Sequence, residues 1–116
     1  MARLFHIKMS RKYFKKTSNI IFWSESALND LNFIYEYISK DSKINAEIFI
    51  NSMFDFIDQL ILFPYLGKRI SEIENFNYRE LLFKSYRIFY LITKEKIYIL
   101  GIMHMSMGEN IEIFKE

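Results

Sequence analysis

The chain contains no cysteine, which removes disulfide staples and thiolate metal ligands from any account of its fold or chemistry. Proline occurs once and glycine three times, too few for a Gly-rich loop that cradles phosphates. His6 and His104 are far too widely separated for a spaced zinc motif. The longest apolar run, residues 97–103, falls well short of the ~18 residues that would mark a membrane span. The first residues are basic but lack the apolar stretch of roughly 7–15 residues that a secretory signal requires. These absences lead us to expect a cytoplasmic protein with no metal or other cofactor and no membrane partner.

Aromatic residues are abundant instead. The 116 residues include 12 Phe and 8 Tyr, and 51% are hydrophobic, a composition too apolar for disorder. The length is that of one domain, about 100–150 residues. Such a surplus of apolar surface implies either a tightly packed aromatic core or an exposed patch that a partner covers. Charge is unevenly spread. Arg3, Lys8, Arg11, Lys12, Lys15 and Lys16 precede any acid, which leaves ten cations against fourteen acids in the rest of the chain. Residues 1–18 therefore read as a basic arm and residues 19–116 as a mildly acidic folded domain. The arm could hold nucleic acid by releasing counterions or be a plain solvated extension. The body is not that of a uniformly basic nucleic-acid-binding domain.

Periodicity supplies the elements. Residues 19–23 are apolar and branched or aromatic, as in a strand. Ser24 then caps a helix to about Lys40, with Ala27, Leu31, Ile34 and Ile38 at helical spacing and Leu28 and Tyr35 beside them. A second helix is expected over 43–63, apolar at Ala46, Phe49, Ile50, Met53, Ile57, Leu60 and Ile61. Pro64 stops it and Gly67 allows the reversal. From there the period becomes two. Residues 68–73 form a possible edge strand, while 77–83, 86–92 and 96–104 are stronger ones, joined by links short enough for antiparallel neighbours. Ile111, Ile113 and Phe114 suggest a further short strand. The fold class is α+β, in the order β-α-α-β-β-β, with a helical hairpin packed on a twisted antiparallel sheet.

Three side chains could carry chemistry. Arg79 and Arg87, close on adjoining strands, could clamp a phosphate between two guanidinium forks, or either could pair with Glu80 or Glu72 and hold strands together. His104, at the end of the last strand, has the pKa range of a proton shuttle for ribonucleolytic cleavage, though a lone terminal histidine is as readily structural. Ser24, Ser26 and Ser106 lack the histidine and acid partners of a nucleophile.

Trp23-Ser24-x-x-Ala27, Asp30-Leu31-x-x-Ile34-x-x-Tyr37-Ile38, Pro64-x-x-Gly67-Lys68, Tyr78-Arg79-Glu80-Leu81, Tyr86-Arg87-Ile88-x-Tyr90 and Ile102-x-His104 follow one another in an order that resembles the ParE/RelE superfamily of bacterial toxins, closest to ParE. The resemblance implies a toxin of a type II toxin-antitoxin pair, of the sort tied to growth inhibition and plasmid stabilisation. It implies inhibition of DNA gyrase rather than enzymatic activity, and neutralisation by a cognate antitoxin in a hetero-oligomer. The RelE branch implies the alternative, an mRNA endoribonuclease that works with the ribosome and mRNA. A degenerate toxin that only binds antitoxin is a third reading. Arg79, Arg87 and His104 fall on the family's recurrent arginine and histidine positions, so the resemblance makes them target-binding residues, or catalytic ones in the RelE case. It names no antitoxin-binding residue. The arm before residue 19 is a departure from the family, as is Met107, where the pattern usually closes with arginine.

Overall fold

The computed structural model describes residues 20–107. The basic arm expected over 1–18 and the strand suggested by Ile111, Ile113 and Phe114 lie outside the described residues. The elements are β1 (Ile21–Trp23), α1 (Glu25–Ser39), α2 (Lys43–Asp58), β2 (Lys68–Arg69), β3 (Tyr78–Phe83), β4 (Tyr86–Ile92) and β5 (Ile97–His104). Both helices start where serine can satisfy an orphan amide: Ser24 Oγ accepts the Ala27 N–H at 2.9 Å and Ser42 Oγ the Asn45 N–H at 3.1 Å.

The five strands lie in the order β1-β5-β4-β3-β2. Tight links at Lys84-Ser85 and 93–96 make β3, β4 and β5 antiparallel neighbours, as expected. One pairing departs from an antiparallel sheet. β1 runs parallel to β5, with Ile21 opposite Ile97 and Trp23 opposite Ile99. No short link governs β1, because two helices and three strands intervene before β5, so hairpin logic does not fix its direction. The sheet is mixed.

Two boundaries also move. α2 ends at Asp58, and residues Gln59–Ile61 tighten into a 3-10 turn. The ring of Pro64 disfavours helical backbone in the residue before it, and Phe63 accordingly sits at φ −130, ψ 73. β2 is only two residues long, since the Ile73 N–H turns back to the Ile70 carbonyl.

The helical hairpin covers one sheet face. Ile88 and Tyr90 of β4, Ile50, Met53 and Ile57 of α2, and Leu31 of α1 are fully or almost fully buried, each apolar side chain contributing about 1.5–3 kcal/mol by leaving water. Phe49 meets Phe83 edge-on at 5.5 Å between centroids, while Phe56 packs tilted on Phe83 at 5.1 Å and Phe54 on Trp23 at 5.3 Å. Part of the aromatic surplus is thus core.

Tyr90 also ties the core to the turn before β2. Its hydroxyl donates to the Pro64 carbonyl at 2.7 Å and accepts the Gly67 N–H at 2.8 Å. A Cβ on Gly67 would stand 2.5 Å from the Glu80 carbonyl oxygen and 2.7 Å from the Tyr90 hydroxyl. Gly67→Ala should therefore destabilise the protein by about 1–3 kcal/mol through overpacking, read as a lower urea midpoint at unchanged m-value.

Candidate functional site

The strand β5 carries the feature that shapes the site. Phe89 lies opposite Gly101 but Tyr90 lies opposite Ile99, which leaves Leu100 as an extra residue, a β-bulge. Side chains alternate along a strand, so one extra residue reverses which face the remainder uses. Ile97 and Ile99 point at the helices before the bulge, and Ile102 does so after it. His104 follows Ile102 onto the helix side, where it sits opposite Tyr86.

Beyond Ile99, β5 has no strand on its outer side because β1 stops at Trp23. The start of α1 covers that edge instead. Ser24 Oγ donates to the Leu100 carbonyl at 3.0 Å, and Asp30 Oδ2 accepts the Ile102 N–H at 2.9 Å. Two backbone groups that a missing strand would have paired are satisfied by side chains of the helix.

Between α1 and the end of β5 a groove of about 480 Å³ opens, lined by Asp30, Phe33, Tyr37, Tyr86, Ile102, His104 and neighbours. Phe33 and Tyr37 are 72% and 64% exposed, large rings left in water on the rim. His104 meets the Tyr86 ring edge-on at 5.1 Å, and its Nδ1 accepts the Ser106 N–H at 3.1 Å and lies 2.8 Å from Ser106 Oγ. Burial raises the Tyr86 phenol above its ordinary pKa, reinforced by the nearby Tyr37 hydroxyl. Burial likewise raises the Asp30 carboxyl, against the opposing hydrogen bond from Ile102.

Of the three residues singled out in the sequence, only His104 lies in the groove. Arg79 shares the helix face but pairs with Tyr90, near the opposite end of β4 from Tyr86. Its Nε donates to the Phe76 carbonyl at 2.9 Å and an Nη to the Gly67 carbonyl at 3.0 Å, while the guanidinium stacks on Tyr65 at 4.9 Å. Arg87 alternates onto the other sheet face. There its Nε donates to Glu80 Oε1 at 2.8 Å, with both side chains largely buried. The two arginines are on opposite faces, so the phosphate clamp between them is not formed. Arg87 instead pairs with Glu80.

Of the other groove residues, Asp30, Tyr37 and Tyr86 stand in the sequence motifs but were given no role, and Phe33 was not singled out at all. Phe33 and Tyr37 carried a usable signal, since they are i, i+4 aromatics outside the apolar stripe of α1. The bulge at Leu100 left none. Among the described residues, no group of three His, Cys, Asp or Glu side chains could hold a metal, and no helix is long and apolar enough to cross a membrane.

The family model for the ParE toxin of the type II toxin-antitoxin system parDE matches residues 21–108. The chain belongs to this ParE toxin family. A solved structure of the chromosomal ParDE toxin-antitoxin system from P. aeruginosa is similar to it with a TM-score of 0.63. That match has 21% identity and covers 73% of this chain and 94% of the other, a likeness that speaks for the fold. No curated protein matches the sequence. In this ParE-family chain, the Tyr78-Arg79-Glu80-Leu81 segment divides its charges between faces: Arg79 braces the turn at Gly67, and Glu80 receives Arg87.

Two outcomes follow from these charges. Glu80→Gln removes the carboxylate from the buried Arg87–Glu80 pair and should cost about 3 kcal/mol, the low end for a broken buried pair, measured by urea unfolding. Asp30 binds its proton more tightly folded than unfolded. The stability that this adds is complete below the ordinary carboxyl value of 3.8 and is lost as pH rises through the raised folded value. Asp30→Asn keeps a carbonyl for the Ile102 N–H but does not titrate. The variant should therefore gain stability relative to wild type as pH rises above 3.8, in parallel urea melts.

Proposed function

We propose that this ParE-family toxin arrests growth by binding DNA gyrase, without catalysis of its own, and that a cognate antitoxin silences it in a hetero-oligomer by filling the groove beside α1. The observation that carries this reading is the separation of the candidate residues. Cleaving RNA needs a base and an acid on either side of one phosphate, with cations to hold it. His104 has neither arginine beside it: Arg79 is engaged at the far end of the sheet and Arg87 on the other face. Binding, by contrast, needs no such convergence.

The surface offers what a protein partner uses. Phe33 and Tyr37 on α1 and Ile44 and Ile48 on α2 are all more than half exposed, an arrangement of i, i+4 pairs on a helical hairpin that a folding segment can cover. Tyr65 and Phe76, also more than half exposed, both touch Arg79: its guanidinium stacks on the Tyr65 ring and its Nε donates to the Phe76 carbonyl. We assign contact with the target to Arg79 and His104, at the two ends of the molecule's helix side. Arg87 supports that surface through Glu80, by holding β3 to β4. Because His104 lies in the groove, an antitoxin seated there would exclude the target, which accounts for neutralisation.

The purified protein added to gyrase should abolish supercoiling and accumulate cleaved gyrase-DNA complexes, with activity restored by antitoxin. Unaffected gyrase together with ribosome-dependent mRNA cleavage, lost in His104→Ala, would replace this reading with the endoribonuclease. No growth arrest, with a tight antitoxin complex still formed, would leave only an antitoxin-binding module.

A further inference from the structure

The groove holds one carboxylate in a lining that is otherwise aromatic, apolar or neutral. Asp30 spends Oδ2 on the Ile102 amide. Among the described residues, no other hydrogen bond reaches its carboxylate and no cation lies within ion-pair distance of it. Its anion is half withdrawn from water, so the fold leaves this charge undercompensated. The rings of Phe33, Tyr37 and Tyr86 line the same groove, with His104 edge-on to Tyr86. Ring faces attract cations, most strongly where water is excluded, and a carboxylate beside them adds a charge-assisted hydrogen bond.

We infer that the partner segment seated in this groove is anchored by a basic side chain, an arginine or lysine whose cation meets Asp30 between Phe33, Tyr37 and Tyr86. The inference rests on the reading of the groove as the antitoxin's seat and adds the chemistry of the residue that fills it. Charge complementarity selects the occupant. The chain's own end, residues 109–116, carries Glu109, Glu112 and Glu116 against the single cation Lys115, a poor match for a second carboxylate. A second copy would offer a mildly acidic body. The basic arm has the right sign, but the described chain begins beside Ile97, at the end of β5 remote from His104, and the test below includes a variant without the arm's cations. A separate basic and apolar segment suits the site best.

The test is an NMR titration of the full-length protein with the tripeptide Ac-Leu-Arg-Leu-NH2 and its citrulline counterpart, which has the same shape and no charge. The arginine peptide should give saturable shifts at the Ile102 amide, His104 and the Phe33 ring, with a Kd of about 1 mM. The citrulline peptide and the Asp30→Asn variant should each bind at least about tenfold more weakly. Phe33→Ser, which removes an exposed ring and no core contact, should weaken binding by about threefold. Equal binding of citrulline, shifts away from the groove, or no saturation would overturn the inference. So would binding that emerges only after the six cations of residues 1–16 are changed to glutamine, because the arm would then be the occupant. An antitoxin complex indifferent to Asp30→Asn would also overturn it, while leaving the antitoxin's role intact. Failure of the wild-type protein to bind antitoxin would overturn that role instead, and the peptide titration would still report on the site.

Discussion

One hydrogen bond closes the sheet where a strand is missing. β1 is three residues long and ends opposite Ile99, so the outer edge of β5 would continue into solvent with unpaired backbone groups. Asp30, one and a half turns into α1, takes the Ile102 N–H, and Ser24 takes the neighbouring carbonyl. An open sheet edge invites pairing with another chain unless something blunts it. Here the blunting element is a helix, and the helix is thereby held a fixed distance from the strand end. The gap between them is the groove.

The bulge at Leu100 works with that closure. By reversing the alternation, it sends Ile102 into the core and His104 into the groove. In a regular strand His104 would share a face with Tyr98 and Leu100, away from α1. The cost of an unpaired residue in the ladder is offset by a site lined jointly by the sheet, through Tyr86, Ile102 and His104, and by the helix, through Asp30, Phe33 and Tyr37. On the far side of the sheet, Glu80 and Arg87 perform a separate task. Their pair neutralises two charges over a buried Phe89, whose ring lies 4.9 Å from the guanidinium.

Much of this fold was legible in the sequence because its signals were local. The stripe Ala27, Leu31, Ile34 and the cap Ser24 define α1, and the alternation of Tyr86, Ile88, Tyr90 and Ile92 defines both the limits and the core face of β4. What could not be read depended on non-local geometry. The direction of β1 is set by β5, some 75 residues later in the chain, and no short link betrays it. The extra residue in β5 exists only relative to β4, so the placement of His104 could not be derived from β5 alone. For the same reason Arg79 and Arg87, eight positions apart across a two-residue link, were read as neighbours, although pairing of Arg87 with Leu82 puts it on the face of Glu80. The candidate site was thus legible in its membership at one residue and illegible in its shape.

Hydrogen exchange at the Ile102 amide measures the closure itself. If Asp30 is what seals the strand edge, this amide exchanges slowly in the wild-type protein, and Asp30→Ala speeds it at least about tenfold. Amides of the β3–β4 ladder, such as those of Leu81 and Ile88, should keep their protection. Unchanged exchange at Ile102 in the alanine variant would contradict the account, because the edge would then be sealed by something other than the helix.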